Sequence, residues 1–262
     1  KMRIVDYVHQ RLMVNTLRKE YGPNTNIQKG PNGSVFIPAE APDVPNWDID
    51  GPSDFDKFIK RYGMTAVDES GNEVGKYTMA SRGSVDASKN VTMITPEFKD
   101  KLGRLWTIMQ EEARPIDIAR RGTDARVLAF PAGIIGDEAA FKSETALESA
   151  VRELSEETGL VAKKVINLTP MSKTSGVSTA VPVMTSPGLT DESTHFFKAI
   201  IERLKPSQKA VTDGGVTRGW HFVPVKRLPK WIVNMQAAGK IPSGQSLTAI
   251  ALSILNKGKI KL

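Results

Sequence analysis

The stretch Phe130–Leu160, FPAGIIGDEAAFKSETALESAVRELSEETGL, is the part of the chain from which fold and function can be argued. Ser143 is a suitable helix N-cap and Gly159 a suitable C-terminal stop, so we predict an α-helix over Ser143–Thr158. At about 100° per residue, the apolar side chains of this helix fall on one stripe. The residues predicted to be buried there are Leu147, Ala150, Val151 and Leu154.

A second face of the same helix carries carboxylates. Glu153, Glu156 and Glu157 stand at i, i+3 and i+4, a spacing at which each like-charged pair costs roughly a few tenths of a kcal/mol. A divalent cation reverses that repulsion, and oxygen ligands suit Mg²⁺ or Mn²⁺. Glu148 lies four residues before Arg152 and is placed to hold the arginine. On spacing alone, an acidic solvated face is the favoured explanation of the pattern.

The segment Arg152–Leu160 resembles the second half of the Nudix box, and Glu144, eight residues upstream of it, also matches. The box has a glycine six residues before that glutamate, where this chain has Glu138. Gly133 is similar to that glycine, displaced by about five additional residues that we place in the segment 136–142. On these residues the chain is identified as a member of the Nudix hydrolases.

Further stretches resemble the ADP-ribose pyrophosphatase group of that family. They are Glu112–Pro115 before the box, the Pro131–Gly133 turn, the SPG-x-x-x-E loop at Thr185–Glu192 and the last helix within 239–255. The resemblance covers roughly residues 74–262, the Nudix domain. Residues 1–73 form an N-terminal extension of unassigned role, and dimerisation is one possibility for it.

The resemblance implies an α/β fold, the Nudix α/β/α sandwich with a mixed sheet, plus that extension. It also implies divalent-metal-dependent hydrolysis of the pyrophosphate linkage in a nucleoside diphosphate derivative, with ADP-ribose giving AMP and ribose 5-phosphate as the favoured reaction. The alternatives are a nucleotide sugar, FAD or a dinucleoside polyphosphate as substrate. A regulator that binds ADP-ribose without cleaving it is the rival of a different class. A homodimer is expected by the same resemblance.

Site residues are assigned by the resemblance as well. The ligands of Mg²⁺ or Mn²⁺ would be the backbone carbonyl of Ala132 and the carboxylates of Glu153, Glu156 and Glu157. Glu192 would orient or deprotonate the attacking water as general base, and Arg152 would position the glutamates. Arg114 would contact a phosphate, and Gly133 would lie against the substrate.

Composition narrows the other possibilities. The chain of 262 residues has no cysteine, which excludes disulfides, zinc–thiolate sites, iron–sulfur clusters and a thiol nucleophile, and which fits the cytoplasm. Eight of its 36 basic residues, but none of its 29 acidic ones, follow Asp213. A solvated basic surface, a field that steers an anionic substrate and a weak nucleic-acid patch remain open, although no base-stacking motif favours nucleic acid. No apolar run approaches the ~20 residues of a membrane span.

The remaining pattern is that of alternating strands and helices. Period-two alternation predicts strands at Lys76–Ala80, Val91–Thr95, Arg104–Met109, Arg126–Phe130, Lys164–Leu168, Thr194–Ile201 and Thr217–Val223. Helical spacing predicts helices over residues 3–20, Phe55–Tyr62 and Ser243–Leu255. Trp106, Trp220 and Trp231 lie within apolar patterns and are predicted to be core or interface residues.

Overall fold

The computed structural model describes residues 4–40, 60–81, 90–136, 141–174, 177–185, 190–204 and 216–256. The helices are α1 (Ile4–Tyr21), α2 (Pro115–Arg121), α3 (Ala146–Thr158), α4 (Leu228–Ala237) and α5 (Gly244–Leu255). The strands are β1 (Gln28–Lys29), β2 (Val35–Pro38), β3 (Lys60–Val67), β4 (Glu73–Ser81), β5 (Val91–Lys99), β6 (Leu105–Ala113), β7 (Arg126–Ala129), β8 (Ala132–Ile134), β9 (Val161–Asn167), β10 (Met171–Thr174), β11 (Val177–Ala180), β12 (Val183–Met184), β13 (Ser193–Arg203), β14 (Val216–Pro224) and β15 (Lys240–Pro242).

Eleven strands form one mixed sheet. Its main path runs β1-β2-β14-β6-β5-β13-β12, with β7 attached to β6, β15 to β7, β8 to β5 and β9 to β13. Most neighbours are antiparallel, but β13 runs parallel to β5 and β15 runs parallel to β7. Two hairpins, β3–β4 and β10–β11, stand outside this sheet. The predicted α/β class with a mixed sheet is confirmed.

Helices cover both faces of the sheet because its strands present apolar side chains on both sides. Successive residues of β6 point to opposite faces: Trp106 and Ile108 pack in one core with α1 and α3, and Met109 packs in the other with α4 and α5. This is the expected α/β/α sandwich. Trp106, Trp220 and Trp231 are fully buried, as predicted for core residues.

The N-terminal residues are built into this sandwich. Met13 and Leu17 of α1 are fully buried in the core beneath α3, and β2 pairs with β14. The boundary expected near residue 74 falls inside a hairpin, since Val67 of β3 pairs with Glu73 of β4. The helix predicted over Phe55–Tyr62 is wrong at residues 60–62, which belong to β3, and residues 55–59 lie outside the described ranges.

A split between two strands creates the place where the acidic helix docks. Thr107 near the start of β6 pairs with Glu97 of β5, whereas Glu112 near its end pairs with Val127 of β7. The other end of β5 pairs with β8 instead. The chain therefore crosses from β7 to β8 where β5 and β6 diverge, and α3 packs over β5 and β8 at that point.

None of the helices in the described ranges has the length and apolar character required to cross a lipid bilayer.

Candidate active site

Helix α3 carries the acidic residues, and a capping box fixes its first turn. Thr145 is the N-cap: its hydroxyl accepts a hydrogen bond from the Glu148 backbone N–H, and the Glu148 carboxylate accepts one from the Thr145 N–H. Such reciprocal caps satisfy N–H groups that a helix start leaves unbonded. The predicted N-cap, Ser143, is therefore wrong, while Gly159 ends the helix in the left-handed conformation as predicted. Glu144 consequently lies just before the helix.

The buried face of α3 is rotated from the predicted stripe. Ala150 and Leu154 are fully buried, but Leu147 and Val151 are 47% and 40% exposed, so the prediction is wrong for these two. Glu153, placed on the acidic face by the sequence, is only 3% exposed. A buried carboxylate needs compensating partners, because burial without them is costly. The face of α3 that packs on the sheet therefore contains the carboxylate of Glu153 as well as the apolar side chains of Ala150 and Leu154.

Arg152 is the centre of an ion-pair network on the flank of α3. Its Nε and Nη2 donate to the two oxygens of Glu144 at 3.1 and 2.9 Å. Nη1 lies 2.8 Å from Glu153 Oε1 and 2.9 Å from Glu156 Oε2. Hydrogen bonding to Glu144 raises the pKa of Arg152, and the same pair lowers the pKa of Glu144. Glu148, the partner suggested by the sequence, is engaged in the capping box.

The turn between β7 and β8 meets α3 at its carboxylates. The backbone N–H of Ala132 donates to Glu157 Oε2 at 3.3 Å. The carboxylate of Glu153 lies directly against Gly133, where an added Cβ would stand 1.8 Å from Glu153 Oε1. Only glycine leaves room for this approach. The structure thus brings together four of the residues that the sequence singled out.

Strand β6 contributes a carboxylate that sequence reasoning did not assign to the site. Gln110 and Glu112 share the face of β6 that points to α3, and Gln110 Nε2 donates to the Glu157 carbonyl oxygen at 3.4 Å. Glu112 is 4% exposed, and its Oε2 accepts a hydrogen bond from Arg114 Nε at 2.5 Å. The sequence did offer a signal for Glu112, because it is the first residue of the stretch Glu112–Pro115 whose resemblance to the ADP-ribose pyrophosphatase group had been noted.

The surroundings of Glu157 change the pKa of this one carboxyl group. Burial, followed by the charges of Glu112 and Glu153, raises the pKa of Glu157 well above its ordinary value. Arg114 and the Ala132 N–H act in the opposite direction. Like charges held together in this way are relieved by a proton or by a cation. Because all the side-chain donors are oxygens, they fit a hard divalent ion such as Mg²⁺ or Mn²⁺.

The carboxylates are nevertheless held apart from one another. In the part of the chain that the structure describes, no three acidic or histidine side chains are arranged to hold one metal ion. Each anion has its own protein partner: Arg152 for Glu153 and Glu156, Arg114 for Glu112, and the Ala132 N–H for Glu157. The side chain of Glu156 is 46% exposed and points along the flank of α3 with Arg152.

Glu192 lies at the same edge of the sheet, beyond one intervening strand. β5 separates β8 from β13, and its residue Val91 pairs with both of them. Two strand spacings correspond to about 10 Å between the backbones of β8 and β13. Gln245 at the start of α5 donates to Glu192 Oε1 at 3.4 Å and to Thr194 Oγ1 at 3.2 Å. Residues 186–189 of the SPG loop lie outside the described ranges.

Chemistry rather than volume identifies the candidate site. A cavity of about 520 Å³ borders α3 and is lined by Phe141, Ser143, Glu144, Glu148, Arg152 and Glu156. A larger cavity of about 790 Å³ lies between α1, β9 and the end of β13. Its wall includes Lys99, which is six residues, or about 20 Å, along β5 from the strand position beside Ala132. Glu144, Arg152 and Glu156 of the α3 ion-pair network therefore border the smaller cavity, whereas the larger cavity lies away from these residues.

Two basic residues of the C-terminal segment are used inside the fold. Lys240 Nζ lies 2.6 Å from Glu111 Oε2, and Arg227 Nη2 lies 2.6 Å from Asp6 Oδ2. The basic excess after Asp213 therefore serves partly in internal ion pairs. The basic residues after Asn256 lie outside the described ranges.

Comparison with known proteins gives a family and a large number of similar solved structures, two of which are described here. A family model described as NUDIX domain matches residues 103–242. A structure described as an ADP compounds hydrolase aligns with a TM-score of 0.49 and 15% identity, covering 91% of this chain and 100% of that chain. The NUDIX domain of Shewanella oneidensis NrtR, solved with ADP ribose, aligns with a TM-score of 0.39 and 12% identity over 65% of this chain and 88% of that one. No curated protein matches the chain in sequence.

Proposed function

Since the chain belongs to the NUDIX family, whose model covers residues 103–242, we propose that it hydrolyses the pyrophosphate linkage of a nucleoside diphosphate derivative with a divalent cation. The family membership expected from Arg152–Leu160 is confirmed by that match. ADP-ribose is the substrate we favour, with AMP and ribose 5-phosphate as products. The support for this branch is the resemblance of Glu112–Pro115 and Thr185–Glu192 to the ADP-ribose pyrophosphatase group.

The observation that carries the proposal is the close approach of α3 to the turn after β7. Glu153 fills the space against Gly133, and Glu157 accepts the N–H of Ala132, so two carboxylates of α3 contact the same backbone turn. Buried acids of this kind are unfavourable without a counter-charge. An enzyme that acts on a charged diphosphate needs the same positive charge, because the substrate itself is anionic.

The residues would divide the work by position. Glu153, Glu156, Glu157 and the carbonyl of Ala132 would hold Mg²⁺ or Mn²⁺. When bound, the cation neutralises phosphate oxygens and orients the linkage that is cleaved. Arg114, the residue immediately before α2, would bind a phosphate, and Gly133 would lie against the substrate. Glu192 would take the proton from the attacking water as general base.

Replacing Glu157 by Gln tests this assignment. The substitution keeps the shape of the side chain but removes a negative charge from the candidate metal face, so we expect kcat with Mg²⁺ to fall more than about tenfold, or 1.4 kcal/mol. Steady-state release of AMP from ADP-ribose measures the rate. Glu69→Gln, at an exposed turn between β3 and β4, is the matched control and should retain full activity. A smaller loss in a folded Glu157→Gln variant rejects the metal role.

The choice of substrate is a separate question within the same chemistry. A nucleotide sugar, FAD or a dinucleoside polyphosphate contains the same linkage and would present the same charge to α3. Parallel assays on these compounds and on ADP-ribose, followed by product release, decide between them. The substrate with the highest kcat/KM identifies the reaction.

A regulator that binds ADP-ribose without cleaving it is the second candidate. The retained carboxylates on α3 favour catalysis, because binding alone does not require them. Tight and steeply salt-dependent binding of the protein to random DNA, without turnover of ADP-ribose, would instead support the regulator.

A homodimer is also proposed, as the resemblance implies. Residues of the first 73 positions would extend its interface. Light scattering that finds only monomer at assay concentrations rejects this part of the proposal.

A further inference from the structure

The guanidinium of Arg152 lies over the ring of Phe141. The ring centroid is 4.6 Å from Arg152 Cζ, well inside the range of a cation–π contact. Phe141 also lines the cavity beside α3 and is half-buried. Phe141 belongs to the segment 136–142, where this chain has about five more residues than the Nudix box.

The in-plane donors of Arg152 are already used. Nε and Nη2 donate to Glu144, Nη1 donates to Glu156 and forms an ion pair with Glu153, and Nη2 also lies 3.5 Å from the Ile134 carbonyl oxygen. A guanidinium has five N–H groups in one plane and no acceptor. The contact with the Phe141 ring is a further support for the guanidinium that uses none of these acceptors.

The position of Phe141 is itself fixed by its neighbours. Its carbonyl oxygen accepts the Glu144 N–H at 2.9 Å, and the Gly136 N–H donates to Glu144 Oε1 at 2.9 Å. Gly136 has a φ of 66°, and a Cβ there would lie 3.4 Å from the Phe141 carbonyl oxygen. The two ends of the loop are thus joined through Glu144, the same carboxylate that pairs with Arg152.

We propose that Phe141 is a positioning residue of the metal site. Its ring excludes water from one face of Arg152, which strengthens the ion pairs in the plane and holds Glu153 and Glu156 in the orientation that receives the cation. The longer loop thus supplies a part of the site that the box does not contain. This inference rests on the proposed metal role of α3.

Substitutions at position 141 can distinguish a side chain that only shields the loop from water from a ring that holds the Arg152 guanidinium in place. A leucine at 141 would still shield the loop from water but would not present a π face to the guanidinium. Tyrosine would keep both the bulk and the face. The series Phe141→Leu, Phe141→Ala and Phe141→Tyr therefore separates the two roles, and the conservative Leu and Tyr variants keep the test usable if the Ala variant unfolds.

The experiment is a titration of the full chain with Mn²⁺ alone, followed by electron paramagnetic resonance of the free ion. Outer partners of metal ligands typically contribute ten- to a hundredfold in affinity, and Phe141 is one contact further away, so we expect about threefold weaker binding for Phe141→Leu and about tenfold for Phe141→Ala. Phe141→Tyr should bind within about twofold of the unmodified chain. Phe36→Leu removes a ring stacked on His221 on the other face of the sheet and is the matched control, with unchanged Mn²⁺ affinity expected.

The outcomes distinguish this inference from the function on which it rests. Weaker Mn²⁺ binding by Phe141→Leu and Phe141→Ala, with unchanged binding by Phe141→Tyr and by the Phe36→Leu control, supports the positioning role. Mn²⁺ affinity equal to or tighter than that of the unmodified chain in Phe141→Leu overturns it, while the metal site itself stands. If the unmodified chain and Glu157→Gln bind Mn²⁺ equally poorly, both the metal site and the role of Phe141 are rejected.

Discussion

At Gly133 the backbone lies close against a side chain of α3. A Cβ at this position would stand 1.8 Å from Glu153 Oε1, 2.1 Å from Cδ and 2.7 Å from Oε2. All three contacts are to the far end of one flexible side chain rather than to backbone. The absence of a side chain at Gly133 therefore matters more for the position of the Glu153 carboxylate than for the stability of the fold.

Gly133→Ala should consequently impair activity more than stability. The new methyl group displaces the Glu153 carboxylate, and we expect kcat to fall at least about tenfold, since small misplacements of a reacting group can cost that much. AMP release and the thermal midpoint are measured on the same preparation. Gly63→Ala, where the added Cβ meets no atom within 4 Å, is the control. Full activity of Gly133→Ala would contradict the placement of Glu153 in the site.

Helix α5 reaches the segment that carries Glu192. Besides the two hydrogen bonds from Gln245, this segment is held by Ser81 Oγ, which donates to Asp191 Oδ2 at 2.7 Å, and by Ser193 Oγ, which donates to Asn90 Oδ1 at 2.5 Å. Contacts from three elements therefore fix the backbone around the proposed base. Such preorganisation keeps a general base within reach of its proton.

Gln245→Glu tests the role of Glu192 through its neighbour. A second carboxylate beside Glu192 favours proton uptake by the pair as the pH falls, so the acid limb of the pH–rate profile should move to higher pH. The profile of kcat/KM with Mg²⁺ is the measurement. Gln236→Glu, an exposed site on α4, adds the same charge at a distance and should leave the limb in place. An unshifted limb in Gln245→Glu would place the base elsewhere.

Helix α3 illustrates how far local sequence reasoning reaches. Its existence and its end at Gly159 followed from the residues, because a glycine stop acts locally. Its start did not, because Ser143 and Thr145 are both good caps and only the bonds made by Glu148 select Thr145. The rotation that buries Glu153 depends on the turn at Gly133, which is distant in sequence.

An ion-pair cluster ties strands from distant parts of the chain on the face opposite α3. Glu111 of β6 binds His221 Nε2 of β14 at 2.6 Å and Lys240 Nζ at the start of β15 at 2.6 Å. Burial lowers the pKa of His221, which keeps the ring neutral and its N–H available to Glu111. Although burial opposes it, the hydrogen bonds that His221 and Lys240 donate, together with the positive charge of Lys240, lower the pKa of Glu111 to about 2.

Acid should therefore remove stability that Glu111 provides. The pKa of this carboxyl is depressed from 4.5 in the unfolded chain to about 2 in the folded one. Its contribution is fully present above about pH 4.5 and is lost as the pH falls toward 2, amounting to about 3 kcal/mol. Urea unfolding of the unmodified chain and of Glu111→Gln at pH 7, 4.5 and 3.5 measures it. The difference in free energy of unfolding between the two proteins should shrink below pH 4.5, and a difference that stays constant would contradict the assignment. Glu202→Gln on the exposed end of β13 is the control.

The N-terminal residues show a second long-range tie. Asp6 of α1 binds Arg104 Nη2 at 2.8 Å and Arg227 Nη2 at 2.6 Å, so one carboxylate joins α1 to residues 98 and 221 positions away. The division of the sequence into an extension of residues 1–73 and a domain of residues 74–262 gave no sign of this ion pairing. Long-range pairing of this kind leaves no local pattern, since neither partner is identified by its neighbours in the chain.

The family, the α/β class and the helix with its acidic face follow from the residues alone, because a box motif, strand alternation and helix spacing are local properties. Three features required the folded chain: the inward turn of Glu153 against Gly133, the addition of Glu112 to the cluster, and the contact of Phe141 with Arg152. The first two depend on the divergence of β5 and β6, which lets the turn before β8 meet α3. Where two strands part is set by pairing across the whole sheet, and no short stretch of sequence specifies it.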